Sequence, residues 1–267
     1  MSYPWNLDFW KTGECQVIDE RLTDMEKAHG LFCPRRVDRY RALASIGLDD
    51  VRVAIIGQDP YPDPTFATGL AFSIPPEIPK EHHPPTLRCL LTEYSSDLGH
   101  PYPSSGDLTP WTGRGVLLWN TIPTCRQGVS LSHDWTEYVY LTREIVQKLS
   151  KRGIVFALLG AVARRSLPDI DLTRNEIIIT SHPSPRGSFN SKTPFLGSRL
   201  FSTINDKLIS NGLDPVDWRL DVPAKASVSE EGLPRPDLVR VLPNIGGIEI
   251  PFPDKPKVKR AESTFEI

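Results

Sequence analysis

The sequence predicts an α/β protein: a four-stranded, mostly parallel sheet flanked by helices in a three-layer α/β/α sandwich, forming a single domain with an extended C-terminal tail. Three observations predict it. Four short apolar runs stand as candidate buried strands, helical patterns separate them, and a proline-punctuated composition sets in near residue 221. Short runs apolar throughout, alternating with helices, belong to strands buried on both faces of a parallel sheet.

The first run, "VRVAII" (51–56), is β-branched and bounded by Asp50 and Gly57, as a buried strand requires. "GVLLWN" (115–120), "IVFALLG" (154–160) and "EIIITSH" (176–182) read the same way. Between the first two, "LRCLLTEYSSDLG" places Leu87, Leu90, Leu91 and Tyr94 on one helical face. "WTEYVYLTREIVQKLSKRG" ends in Lys and Arg before Gly153, the charge and the residue that a helix C-terminus favours. "GSRLFSTINDKLIS" follows the last strand with Leu200, Ile204 and Leu208 at helical spacing. These elements assign residues 1–220 to one domain. From 221 to 267 seven prolines interrupt the chain, and the segment reads as an extended, partly disordered tail.

Composition limits the function classes. With 267 residues the chain can bury a full core, and its net charge of -2 supplies no general basic field for nucleic acid, so contacts to DNA must be local. The four cysteines (Cys15, Cys33, Cys89, Cys125) contain no C-x-x-C pair and read as reduced, mostly buried thiols rather than zinc ligands. "MSYPWNLDFW" lacks the basic and apolar regions of a secretory signal, and no apolar run approaches the roughly 20 residues of a membrane span. The expectation is a soluble intracellular protein.

In open parallel sheets ligands bind beyond the carboxyl ends of the strands. That rule brings three loops to one rim: "GQDPYP" after the first strand, "NT" after the second and "SHPSP" after the fourth. The third strand runs into "LGAVARR", which carries nothing chemically distinctive. Taken singly, Asp59 is a common turn residue, His182 a structural histidine and Phe72 a core aromatic. Finding Asp59 and His182 together at one rim is what asks for another account.

The motifs "GQDPYP", "GLAFSI", "PPTL", "TPWTGRGVLLWNT", "SHPSP" and "FLGSRLFSTIND", in this order and spacing, resemble the family 1 uracil-DNA glycosylases over about residues 3–220. The resemblance implies hydrolysis of the N-glycosidic bond of deoxyuridine in DNA, single- or double-stranded, with no metal and no cofactor. Breaking that bond leaves positive charge on the sugar and negative charge on uracil, so a carboxylate near the sugar and a donor at uracil O2 are the useful groups. Asp59 resembles the carboxylate, and His182 the donor, acting as a neutral imidazole. Asn120 resembles the amide that donates to uracil O4 and accepts from N3–H. Tyr61 resembles the ring that occupies the space of a thymine methyl, and Phe72 the ring that stacks on the flipped base. Gln58 is implied as a backbone contact, its side chain of little consequence.

The family extrudes the base with stiff loops. Pro84, Pro85 and Thr86 match one, Ser184 and Pro185 another, and Arg186 stands where the family carries a Leu wedge. Pro62 stands where the family carries His. The first departure bears on how the base is flipped, the second on the rate. The resemblance further implies a monomer, no membrane association, and recognition by a proteinaceous inhibitor that mimics DNA. Two other readings remain on residues alone: a non-catalytic uracil-DNA binding module, and a glycosylase of wider range. Keeping both Asp59 and His182 weighs against the first, and Tyr61 with Asn120 against the second.

Overall fold

The computed structural model describes residues 5–189 and 191–220. The expected tail, 221–267, lies outside the described residues. The chain enters through α1 (Gly13–His29), β1 (Phe32–Cys33) and α2 (Arg41–Ala44), and reaches the centre at β2 (Val53–Gly57). α3 (Pro85–Leu98) and the single turn α4 (Thr109–Thr112) lead to β3 (Val116–Asn120). β4 (Cys125–Arg126) and α5 (Thr136–Ser150) lead to β5 (Val155–Leu159), and β6 (Glu176–Thr180) is followed by α6 (Pro185–Phe189) and α7 (Leu200–Ser210).

β2, β3, β5 and β6 make one sheet in the order β3-β2-β5-β6, and all three pairings are parallel. The first three strands are buried at every position, which is why their sequences read as unbroken apolar runs; β6, at the edge, is half-buried along most of its length. β2 connects outward to β3, whereas its neighbour β5 connects the other way to β6. The topological switch therefore falls between the carboxyl ends of β2 and β5, and a crevice opens there.

The helices cover the sheet in two groups. α7 packs on β5, β6 and α3, while α5 packs on α1. Trp119 of β3 donates through Nε1 to Thr142 Oγ1 of α5 at 3.0 Å, and Thr142 in turn donates to the Thr121 carbonyl at 2.8 Å. Two buried acids of α3 fasten α7. Glu93 accepts from the Gly197 and Arg199 amides at 2.6 and 2.7 Å, and Asp97 accepts from the Ser202 amide at 2.8 Å. Carboxylates at a helix N-terminus satisfy amides that have no partner within the helix.

Two features were not legible in the pattern. α1 spans 17 residues, yet buries only Cys15, Ile18 and Leu22 among charged neighbours, too narrow a stripe to announce a helix. β1 and β4 form a two-residue antiparallel pair that sets Cys33 opposite Cys125. The four cysteines form no disulfide; Cys15, Cys33 and Cys125 are buried and Cys89 is half-buried.

Val216, Trp218 and Leu220 belong to the core. Trp218 is 2% exposed and meets Trp111 edge-on at 5.2 Å and Phe201 at 5.0 Å. Its carbonyl accepts from Trp111 Nε1 at 2.8 Å, and Arg114 Nη1 donates to the Asp217 carbonyl at 2.7 Å. Trp218→Ala is expected to lower stability by about 3–5 kcal/mol, as for other buried Trp and Phe truncations, measured by urea unfolding. A loss under about 1 kcal/mol would show that this segment does not complete the core.

Candidate active site

The three loops expected at one rim do meet. Gln58, Asp59, Tyr61, Phe72, Thr86 and His182 line one cavity of about 110 Å³ at the switch point. Its construction starts at Gly57, the last residue of β2, whose ladder partner is Asn120. A Cβ at Gly57 would lie 2.6 Å from Asn120 Oδ1 and 3.0 Å from Phe72 Cζ, closer than atoms pack. Glycine at 57 thus leaves room beside it for both the Asn120 amide and the Phe72 ring; Asn120 is not itself among the residues that line the cavity. Asn120 is 7% exposed.

Phe72 is held in an uncommon backbone conformation, φ 67°. For a non-glycine residue this costs on the order of 1–3 kcal/mol and persists only where the surroundings enforce it. They do: Tyr61 donates its hydroxyl to the Phe72 carbonyl at 3.0 Å, and the Ala71 amide donates to the Leu118 carbonyl at 3.1 Å. Burial pushes the Tyr61 phenol far above its usual range, so it remains a neutral donor.

Asp59 is the most heavily bonded side chain of the cavity. Its Oδ1 accepts from Gln58 Nε2 at 2.9 Å, and its Oδ2 accepts from Ser130 Oγ at 2.7 Å and from the Leu131 amide at 2.6 Å. The Gln58 side chain therefore has a task that the sequence comparison did not assign: it orients the neighbouring carboxylate. The loop backbone is tied to β3 as well, with the Thr121 amide donating to the Gly57 carbonyl at 3.1 Å and the Ile122 amide to the Gln58 carbonyl at 2.9 Å.

His182 follows β6 and comes within 5.9 Å of the Phe72 ring, centroid to centroid. Burial holds its pKa below the ordinary 6.5, and the negative charge of Asp59 only partly opposes this. The imidazole is consequently neutral at neutral pH. Gly160, at the end of β5 with φ 98°, makes the space: a Cβ there would sit 2.9 Å from His182 Cβ. The third strand, whose end carries no reactive group, contributes this missing side chain.

The outer loops are stiff. Pro84 caps and Pro85 begins α3, where proline's fixed φ and missing amide cost nothing. Ser184 precedes α6, accepts at Oγ from the Gly187 amide at 3.3 Å, and through its carbonyl accepts from the Ser188 amide at 2.8 Å. Pro185 and Arg186 open α6. The Arg186 side chain lies outside the described residues.

A protein-family model for the uracil DNA glycosylase superfamily matches residues 44–209. The chain belongs to the uracil DNA glycosylase superfamily. The matched stretch holds every sequence-derived site residue. Among relatives of this superfamily member, a uracil-DNA glycosylase of Bacillus pumilus is 39% identical over 205 residues, 76% of this chain and 88% of that protein. One from Mycolicibacterium smegmatis is 42% identical over 174 residues, 64% and 74% of the two chains. The fold resembles the crystal structure of mimivirus uracil-DNA glycosylase, with TM-score 0.72 at 23% identity over 79% of this chain and 84% of that one. A mimivirus UNG variant in complex with UGI aligns with TM-score 0.71 at 23% identity over 79% of this chain and 86% of that one.

Sequence reasoning missed Ser130, Leu131 and Gly160. Only Gly160 left a signal, a glycine at a strand's carboxyl end facing the rim. The geometry around it yields a test. Followed by ring-proton NMR, His182 is expected to titrate below 6.5. Gly160→Ala should displace the ring and return its titration toward 6.5, because the new methyl and the positive φ are both unfavourable there. An unchanged titration in the variant would show that Gly160 does not shape the histidine's environment.

Proposed function

We infer that this protein is a DNA repair glycosylase that hydrolyses the N-glycosidic bond of deoxyuridine, releasing free uracil and leaving an abasic site. The observation that carries this reading is the opposition of two unlike groups across one small cavity: a triply hydrogen-bonded carboxylate, Asp59, and a desolvated neutral imidazole, His182. The family and its curated relatives support the same activity.

The chemistry follows from charge. As the bond from sugar C1′ to uracil N1 lengthens, the sugar gains positive and the base negative charge. Asp59 stabilises the first and orients the attacking water. His182 donates an N–H to uracil O2 and stabilises the second; a neutral donor does this without giving its proton away. Both groups are held before substrate arrives, so little reorganisation is needed in the transition state. In this reading Phe72 stacks on the base, Asn120 pairs with O4 and N3–H, and Tyr61 fills the space of a C5 methyl. Cytosine would leave the buried Asn120 amide mismatched, and a site built on such hydrogen bonds discriminates by up to roughly 10⁴ to 10⁵.

The base must leave the stack to enter so small a cavity. Pro84, Pro85 and Thr86 on one side, and Ser184, Pro185 and Arg186 on the other, are placed in sequence to meet the DNA backbone. Few contacts of this kind suffice, which fits a chain of net charge -2. Residues 1–220 form the catalytic domain and 221–267 a proline-rich tail outside it; the protein acts as a monomer. A protein that mimics DNA would occupy the same face, a reading supported by the mimivirus relative in complex with UGI. Among the described residues no helix is long and apolar enough to cross a membrane.

Two predictions test the assignment. Asp59→Asn and His182→Ala should each slow single-turnover uracil release by about 10²-fold or more while leaving oligonucleotide affinity nearly unchanged, because both act on transition-state charge. Near-wild-type rates in either variant would refute the mechanism. Tyr61→Ala should gain measurable release of thymine, and Asn120→Asp of cytosine, assayed by alkaline cleavage of oligonucleotides carrying one such base. If neither variant, shown folded by circular dichroism, acts on a new base, the pocket assignment fails.

A further inference from the structure

Residues 127–132, in the loop between β4 and α5, lie against the Asp59 loop without belonging to any motif that singled out the site. It is internally braced. The Val129 amide donates to the Arg126 carbonyl at 3.0 Å, Ser132 Oγ donates to the Val129 carbonyl at 2.8 Å, and the Arg126 amide donates to Ser132 Oγ at 2.7 Å. It is also docked. The Gly128 amide donates to the Pro62 carbonyl at 2.7 Å, at the residue that brings no polar side chain to the cavity. Ser130 lines that cavity together with Asp59, Pro62 and His182. Leu131 follows with φ 59°, an unfavourable conformation for leucine that turns its amide onto Asp59.

Acceptor counting shows what this achieves. An ionised carboxylate has about four lone-pair directions. On Asp59, Oδ2 takes two donors, the Ser130 hydroxyl at 2.7 Å and the Leu131 amide at 2.6 Å, and Oδ1 takes one, Gln58 Nε2 at 2.9 Å. Oδ2 is thus saturated by protein, and Oδ1 is the oxygen that can still receive a proton from water. The Ser130 hydroxyl has one hydrogen, and the carboxylate takes it. Its oxygen keeps two acceptor lone pairs beside the same cavity.

We propose that Ser130 is a functional partner of Asp59: its hydroxyl fixes which carboxylate oxygen faces the reacting sugar, and its oxygen accepts a hydrogen bond from the attacking water. The proposal rests on the glycosylase reading above. In the step it serves, the water oxygen bonds to C1′ while the C1′–N1 bond breaks with its electron pair leaving on uracil. One water proton passes to Asp59 Oδ1. Ser130 gains and loses no proton; it orients both partners. Removing it lets the carboxylate rotate and deprives the water of its second contact. DNA affinity is expected to stay nearly unchanged because the one hydroxyl hydrogen is committed to Asp59.

The test uses the full-length protein, single-stranded uracil oligonucleotide and enzyme in excess. Ser130→Ala is expected to slow uracil release by about 10- to 100-fold, the range for losing one positioned hydrogen bond in a transition state, with oligonucleotide affinity within about twofold of wild type. Ser130→Thr, which keeps the hydroxyl, should recover to within about threefold of the wild-type rate. In an Asp59→Asn background Ser130→Ala should cost less than about twofold, because residues that act as a unit are not additive. A purely structural role for the loop would instead slow both backgrounds equally and would not be rescued by threonine. A Ser130→Ala rate within twofold of wild type, or full additivity with Asp59→Asn, overturns the proposal. If wild-type protein releases no uracil, the glycosylase reading fails instead, and the two failures are distinct.

Discussion

Where β2 ends, Gly57 stands beside Asn120 in the parallel ladder, and a single added methyl would meet the Asn120 amide at 2.6 Å and the Phe72 ring at 3.0 Å. The cavity depends on that missing side chain. With it absent, an amide and an aromatic ring from segments far apart in the chain both lie close against Gly57. Phe72 in turn has a left-handed backbone, which the Tyr61 hydroxyl secures by donating to the Phe72 carbonyl. A second missing side chain, at Gly160, leaves room for His182. Gly57, Phe72 and Gly160 thus place close packing or backbone strain at the switch point of the sheet, where the fold brings strand ends together.

The two proposed catalytic groups are prepared by opposite means. Asp59 is surrounded by donors from Gln58, Ser130 and Leu131, and its orientation is fixed by hydrogen bonds. His182 is prepared by removal of water: burial, more than any partner, keeps its imidazole neutral. Sign matters here. A histidine held below its ordinary pKa contributes stability above pH 6.5 and loses it as pH falls toward the lowered value. His133, buried and stacked on Trp135 at 4.5 Å, is pushed down to about 4 by burial and follows the same rule between 6.5 and 4. Both histidines therefore make the folded state weaker in mild acid.

Much of this was legible beforehand because it depends on local pattern. The four strands were readable since each is a short apolar run with a polar or glycine boundary, and the burial of β2, β3 and β5 at every position is what a parallel sheet requires, half-buried β6 pairing in the same sense. Gln58, Asp59, Tyr61, Asn120 and His182 could be named because they sit in motifs at or just after strand ends, Phe72 and Thr86 because they sit in motifs of the same family, and the uracil DNA glycosylase superfamily match covers them all. α1 escaped notice because three buried residues on a 17-residue helix make too faint a period.

The sequence by itself determined the order of the four sheet strands and of the main helices between and after them, the family, and which reactive residues arrive at one rim, because hydrophobic period and motif spacing are properties of neighbours in the chain. Only the tertiary structure decided how those residues are held. Ser130 lies 71 positions from the carboxylate it binds, and its hydroxyl looks like that of any loop serine until β4 and the Gly128 amide dock its loop on Pro62. Gly160 looks like a strand boundary until β6 brings His182 against it. Contacts between distant segments have no local signature, since the hydrogen bond or the excluded methyl that defines them exists only once the sheet has set both segments side by side.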